Sequence, residues 1–402
     1  MSKNINQIFI IYKLNKSNRK ICVVSSSRAD YNHLHPLISA LDKSKVLDLQ
    51  LVVTGMHLMK QYGFTYKEIE NDNFNISAKI KTDQHDLTTN SIVSCMANQI
   101  TNSYRVFSKL KPDILVILGD RYDILPIAIM AQILDIPIAH FHGGEKTIAV
   151  LDDNIRHAIT KLSHLHFVAN KDFKNRVLQL GENKKHIYNI GSLGVLALNK
   201  IKYFNKKKIF EILNISTPKK YILISIHPEI LEKNNKVMIN NILSVLNEFE
   251  EYYQIFTRPN SDKHSRIIHS AIEKYVSTNS SRSLIINSAG RELYLSLVKN
   301  AQLLIGNSSS CLIEAPCLST PSIIVGDRQK GRPIEKSVIK SSRTIKSIRE
   351  SIKNALTKNV KSSSNRYYRP TKDLSGILDI FYRCDVQKLM TKDFNDLKRN
   401  NI

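Results

Sequence analysis

The chain has 402 residues, 42% of them hydrophobic and 23% charged, with a formal net charge of +24. That length suits two α/β units of roughly 150–200 residues each rather than one core, and the composition lies outside the disordered class. No run approaches the ~20 apolar residues that a membrane span needs.

The apolar patch Ile8–Tyr12 is shorter than a signal-peptide core of about 7–15 residues, and basic residues follow it instead of a cleavage site. Residues 1–19 read as an extension of a cytoplasmic protein. The apolar run Lys20–Val24 reads as a strand ending in Ser25-Ser26-Ser27-Arg28, with a helix after it carrying Leu34, Leu37, Ile38 and Leu41 on one face. Leu49–Thr54 reads as a second strand stopping at Gly55, and residues 89–110 as a helix. Asp113–Leu118 reads as an apolar strand ending in Gly119-Asp120-Arg121, residues 122–135 as a helix, and Ile136–Phe141 as the next strand. Short apolar strands alternating with helices imply a parallel sheet covered on both faces.

The pattern pauses at Gly191–Gly194 and a lysine-rich stretch, then restarts after about residue 219. Tyr221–Ile226, Tyr252–Phe256, Leu284–Ile286, Leu303–Ile305 and Ser322–Val325 read as strands, with helices over 236–249 and 262–275. No short-period repeat is present. The expected division is an extension over 1–19, a Rossmann-like unit over 20–195, a second over 196–370, and a tail over 371–402.

The five cysteines (Cys22, Cys95, Cys311, Cys317 and Cys384) are scattered without a CxxC pair, which fits a reducing compartment better than a disulfide framework. The positive charge could attract nucleic acid or an anionic membrane. The lysines are dispersed, however, and no nucleic-acid module or arginine-rich helix is recognisable. The excess therefore reads as compositional bias over a solvated surface, with neither nucleic acid nor membrane as partner.

Ligands of open α/β sheets sit beyond the carboxyl ends of the strands, so the polar residues there carry the functional reading. Ser25–Arg28 offers small residues and an arginine at a helix start; it is not GxGxxG, which disfavours a dinucleotide cofactor. Gly119–Asp123 puts Asp120 at the sheet edge, unless Asp120 or Asp123 caps the next helix. In His140–Glu145 two glycines free the backbone to turn Glu145 into the cleft, and Asp152 and Asp153 open the helix that follows. These acids are proton-transfer candidates. On a strand His140 and His142 would share a face, but no third metal ligand presents itself, so no metal is expected.

In the second half, Gly306-Asn307-Ser308-Ser309-Ser310 opens a helix as an anion cradle, and Glu314 one turn on could reach a ribose diol. Gly326–Arg332 offers Arg328, Lys330 and Arg332 to a pyrophosphate, and His227 follows the first strand of this half. Together the halves read as an acid/base site facing a nucleoside-diphosphate site.

Stretches in order along residues 20–340 resemble the hydrolysing UDP-N-acetylglucosamine 2-epimerases, most closely those of bacterial sialic-acid pathways. They are SSSRADY, VVTGMHL with YG, EIENDNFNI, LGDRYDI, HGGEKT, IRHAITKLSHLHF, LGE, NIGSLG, IHPE, GNSSS with IEAP, and GDRQKGR. The combination of HGGEKT, IRHAITK, GNSSS and GDRQKGR is the specific part. The resemblance implies two Rossmann-like domains facing across a cleft (GT-B-like), with the C-terminal helix crossing back to the first. It implies conversion of UDP-N-acetylglucosamine and water to N-acetylmannosamine and UDP, through elimination to a glycal and rehydration, without metal or nicotinamide.

Residue by residue, Asp120, Glu145 and Asp153 match acid/base carboxylates and His227 a catalytic histidine. Arg28, His142, Arg156, Asn307, Ser308, Ser309, Ser310, Glu314, Arg328, Lys330 and Arg332 are the expected substrate contacts. Clustering the carboxylates should raise the pKa of one, keeping it protonated as an acid. Cys311 stands where a glycine is usual, its side chain expected to point into the core. The same chemistry on UDP-diacetylbacillosamine or a GDP-linked relative, and a GT-B glycosyltransferase, are the alternatives. A homodimer or dimer of dimers is the expected assembly, though no residue pattern specifies it.

Overall fold

The computed structural model describes residues 18–82, 88–147, 151–198, 201–216, 220–229, 235–258, 265–287, 289–357 and 367–396. Most of the stretch read as an N-terminal extension lies outside them, although its last residue, Arg19, already belongs to the first strand.

Thirteen strands among the described residues form two all-parallel sheets. The first comprises β1 (Arg19–Ser25), β2 (Leu47–Thr54), β3 (Ile76–Ile80), β4 (Ile114–Leu118), β5 (Ile138–Phe141), β6 (Leu165–Val168) and β7 (Ile187–Asn189), ordered β3-β2-β1-β4-β5-β6-β7. The second comprises β8 (Tyr221–Ser225), β9 (Tyr253–Thr257), β10 (Ser283–Ile286), β11 (Leu303–Gly306), β12 (Ser322–Val325) and β13 (Val338–Ser341), ordered β10-β9-β8-β11-β12-β13. The central strands are apolar along their length because helices cover both sheet faces. Ile114–Leu118 and Tyr221–Ser225 are buried at every position. The strand order reverses between β1 and β4, and again between β8 and β11. At such switch points the following loops part and leave a crevice.

The read helices are found over Arg28–Asp42, Thr89–Leu110, Leu125–Ile133, Asn235–Leu246 and Ser265–Thr278. The helix Leu125–Ile133 has Ile124 at its N-cap with no side-chain cap, so neither Asp120 nor Asp123 is a helix cap. No helix of the described residues is long and apolar enough to cross a membrane. All five cysteines are free.

The chain returns to the first sheet near its end. Ser192 N–H donates to Tyr368 O at 3.0 Å and Thr371 N–H to Ile190 O at 3.1 Å, laying this segment beside the link between the two sheets. The amphipathic helix Leu374–Arg383 then buries Ile377 and Phe381 in the first core, where Phe381 meets Phe167 edge-on at 5.5 Å between ring centroids. These contacts are why the tail belongs to the first unit in space although it follows the second in sequence.

Candidate active site

The polar segments read from the sequence leave strands at the two reversal points or beside them. Ser25–Arg28 follows β1, Gly119–Asp123 follows β4 and His142–Glu145 follows β5. Opposite them, His227–Glu229 follows β8, Asn307–Ser310 follows β11 and Gly326–Arg332 follows β12.

Arg156 is the centre of the first half. It lies on the helix Leu151–Leu162 and is 1% exposed. Its Nη1 donates to Asp153 Oδ1 at 2.8 Å and to the Glu145 carbonyl at 3.0 Å. Its Nη2 donates to Asp120 and, at 3.1 Å, to Thr147 Oγ1. Burial works against the guanidinium charge, but Asp120, Glu145 and Asp153 outweigh it and keep Arg156 protonated. One buried cation thus gathers acids from two separate loops and from its own helix, and needs them as its counter-charges. Asp153 also accepts the Thr147 N–H at 2.6 Å and lies 3.5 Å from His157.

Glu145 is 4% exposed and reaches its place through a strained turn. His142 has φ +64 and Gly144 has φ +75, and a Cβ on Gly144 would lie 2.4 Å from Phe173 O. Only glycine fits there. Glu145 Oε1 accepts from His142 Nδ1 at 2.8 Å, while Oε2 lies 3.2 Å from Arg332 Nη2, across the cleft. Burial pushes the carboxyl up, but Arg332, the His142 hydrogen bond and Arg156 more than reverse this and hold it at about 2. The expectation that carboxylate clustering would raise a pKa here is therefore wrong at Glu145. Cations are interleaved among the acids, so each carboxylate meets opposite charge before it meets another carboxylate. In this half the raised acid is Asp30, outside the expected set: burial lifts it to about 6, with Asp123 nearby adding to it against the pull of Arg121.

In the second half, His227 N–H donates to Asn307 Oδ1 and Asn307 Nδ2 donates to His227 O, both at 2.7 Å. The imidazole is 7% exposed; burial and then Arg328 lower its pKa, leaving it neutral. Glu229 anchors the basic loop. Its Oε1 accepts the Asp327 and Arg328 N–H groups at 3.1 and 3.3 Å, and Oε2 pairs with Arg343 at 2.5 Å. Gln329 Nε2 donates to Asn307 O at 2.9 Å, tying this loop to the serine turn. Ser308 caps that turn by accepting the Ser310 N–H at 3.3 Å. Ser309 and Ser308 are half-buried and Ser310 is buried. Cys311 is 0% exposed within the second core, facing away from the cradle as expected.

Glu314 lies across from the first half. A Cβ on Gly194 would sit 2.9 Å from His33 Nδ1 and 3.6 Å from Glu314 Oε1, so this glycine lets the two approach. Burial raises the Glu314 carboxyl. Arg28 is half-buried at the start of its helix, whose N-cap Ser27 accepts the Asp30 N–H. Lys330 is exposed, unlike its half-buried neighbours Arg328 and Arg332. His140, weighed as a metal ligand, is fully buried, with Nε2 at 2.8 Å from Gly119 O and Nδ1 at 3.2 Å from Thr160 Oγ1. Both its ring nitrogens therefore face protein groups. Among the described residues no group of three or more His, Cys, Asp or Glu is arranged to hold a metal ion.

Two residues of the cleft escaped the sequence reading. His33 lies 5.8 Å from His142 between ring centroids, and burial, then His142, lowers its pKa to about 4. Its position early in the helix after Ser25–Arg28 was the available signal. Tyr368, fully buried, feels the charges of Glu145, Arg332 and Glu314; it arrives by the crossing segment, which no local pattern announces.

Two Rossmann-like units with loops converging across a cleft define a GT-B-like α/β enzyme. The model of the UDP-N-acetylglucosamine 2-epimerase family matches residues 39–379, and the chain belongs to that family of enzymes. It is 40% identical over 326 residues to the GDP/UDP-N,N'-diacetylbacillosamine 2-epimerase (hydrolyzing) of Campylobacter jejuni, covering 81% of this chain and 85% of that protein. It is 37% identical to polysialic acid biosynthesis protein P7 of Escherichia coli, covering 94% and 97% respectively. The crystal structure of UDP-GlcNAc 2-epimerase from Neisseria meningitidis bound to UDP-GlcNAc superposes with a TM-score of 0.76 at 16% identity, over 91% of this chain and 100% of that one, a likeness of fold.

Proposed function

We propose that the protein is a hydrolysing 2-epimerase that converts UDP-N-acetylglucosamine and water to N-acetylmannosamine and UDP, feeding sialic-acid synthesis in the cytoplasm. The observation that carries this reading is the meeting of Glu145 with Arg332, an acid/base carboxylate against the diphosphate loop, 3.2 Å apart. A base removes the C2 proton, the C1–O bond to UDP breaks, and a glycal forms. Water then adds at C1 while a proton returns to C2 on the opposite face.

The carbon acid is weak, so the base must act as the leaving group departs. Asp120, Glu145 and Asp153 serve proton transfer, with His227 facing them from the second unit. Arg328 and Arg332 stabilise charge building on UDP, with Lys330 contributing from the loop's outer side. Ser308, Ser309 and Ser310 cradle the phosphates. Asn307, whose amide is engaged by the His227 backbone, holds that turn in place rather than touching the substrate as expected. Glu314 takes the ribose diol, and Arg28 and His142 face the substrate. Arg156 fits a positioning role better than the substrate contact first expected, since its donors already have protein acceptors.

A second reading keeps the chemistry and changes the sugar to diacetylbacillosamine, linked to UDP or GDP. The Campylobacter jejuni relative favours it. Proton NMR in heavy water with each nucleotide-sugar separates the two. Free N-acetylmannosamine deuterated at C2, released with UDP, supports the first. Inertness toward UDP-N-acetylglucosamine together with turnover of UDP-diacetylbacillosamine overturns the first and leaves the second.

A further inference from the structure

Arg332 is expected to hold a diphosphate, yet it is already engaged by the carboxylate proposed to move a proton. The pair joins the two halves of the cleft: Arg332 Nη2 is 3.2 Å from Glu145 Oε2, with the side chains 15% and 5% exposed. Glu145 is otherwise faced by His142 at 2.8 Å on the same loop, by Arg156 through its carbonyl, and by His33 and Tyr368 at longer range. Arg156 is committed to Asp120, Asp153 and Thr147 and cannot follow a ligand. Arg332 is different. Among the described residues its buried Nε–H has no acceptor, and His142 Nε2 and His33 Nδ1 nearby have no hydrogen-bond partner. A guanidinium has five N–H donors in a planar fork matched to phosphate oxygens, and a buried donor without an acceptor is costly.

We propose that Arg332 is a shared counter-ion and a positioning residue: it pairs with Glu145 in the free enzyme and transfers to the diphosphate of a bound nucleotide-sugar, releasing Glu145 to act as base. This rests on the proposed function and deepens it. A carboxylate held at about 2 by its neighbours is a feeble base for a carbon-bound proton. Withdrawing one cation and bringing up a phosphate both raise its basicity. The base then becomes effective only when the leaving group is in place, so a free sugar lacking the diphosphate leaves it locked. Arg156 and His142 keep Glu145 oriented throughout.

The test is a double-mutant cycle on UDP affinity by calorimetry, which needs no turnover. If Glu145 competes with UDP for Arg332, Glu145→Gln tightens UDP binding about three- to tenfold, the scale of one partly exposed ion pair given back. Arg332→Gln weakens UDP binding, and in that background Glu145→Gln changes little. Arg332→Lys, which keeps the charge but loses the fork, retains part of the coupling and guards against a folding defect in Arg332→Gln. A crystal structure with UDP should show the guanidinium on the diphosphate and beyond ion-pair distance of Glu145. Equal effects of Glu145→Gln in both backgrounds, or a Glu145–Arg332 contact that persists with UDP bound, overturns the inference while the epimerase reading stands. If the wild-type protein fails to bind UDP, that reading falls and this inference with it.

Discussion

Asn307 and His227 hold each other through two reciprocal hydrogen bonds between the Asn307 amide and the His227 backbone, both 2.7 Å. The pair staples the ends of β8 and β11 together at the second sheet's reversal point, and both residues are nearly inaccessible. Asn307 therefore acts on the site through His227 and through the loop that Gln329 fastens to its carbonyl. Asn307→Ala leaves a buried N–H and a buried C=O unpaired, at about 1–3 kcal/mol for each. Urea unfolding should register that loss, and UDP affinity should fall with it. An Asn307→Ala protein with wild-type stability and UDP affinity would show that the staple is dispensable.

Glu145→Gln preserves size and one acceptor, so His142 keeps a partner. UDP binding should survive, while turnover should fall by about 10²–10⁴, the range of a lost general acid/base. Comparing UDP titration with sugar release on the same preparation separates the two effects. Full turnover would remove Glu145 from the proton-transfer set and leave Asp120 and Asp153 to be tried next.

Burial decides how much of the fold was legible in the sequence. Strands β1, β4, β8 and β11 lie between helical layers, so they appear as continuous apolar runs, and the site loops begin where those runs end. Three of the four edge strands, β3, β7 and β13, escaped because they are short and mix polar with apolar residues, whereas the edge strand β10 was read from its apolar Leu284–Ile286; Ile76–Ile80 reads Ile-Ser-Ala-Lys-Ile. β6 escaped although it is internal, since His166, whose Nε2 meets Glu182 at 2.9 Å, breaks its apolar run. The same limit applies in the cleft. Glu145, Asp120 and Asp153 were legible as acids at strand and helix ends, but the direction of the Glu145 pKa depends on Arg156 and Arg332, which are neighbours only in the fold.

Cys311 tests whether a side chain next to the phosphate cradle disturbs it. The thiol is fully buried in the second core, burial raises its pKa, and its carbonyl accepts from Ser322 Oγ at 2.8 Å. Cys311→Gly should therefore lower stability by about 1–3 kcal/mol, from a lost buried group and a looser backbone, and leave UDP affinity unchanged. Tighter UDP binding in the glycine variant would mean that the side chain crowds the cradle after all.

The C-terminal tail clasps the far end of the helix that carries Asp153 and Arg156. Lys392 Nζ donates to Lys161 O and Ser163 O at 2.5 and 2.7 Å and pairs with Glu182 at 2.9 Å. Glu182, 2% exposed, also receives Lys161 at 2.7 Å and His166 at 2.9 Å. Burial opposes the charge on Glu182, but the His166 hydrogen bond and the two ammonium groups outweigh it and hold the carboxyl at about 2, below its ordinary 4.5. The stabilisation from Glu182 is thus fully present above its unfolded value and is lost as pH falls from about 4.5 toward 2. His166 acts in the same direction: burial lowers its pKa from 6.5, so the unfolded chain takes up a proton first as the solution is acidified. Lys392→Met keeps the stem and removes the donors, leaving two carbonyls without their cation. Urea unfolding at neutral pH should show a loss of about 1–3 kcal/mol. Between pH 4.5 and the onset of acid unfolding the variant's stability should fall less steeply than wild type, because Glu182 is less depressed. Parallel pH–stability curves would mean that Lys161 and His166 alone set the Glu182 charge, and that Lys392 serves only the helix end.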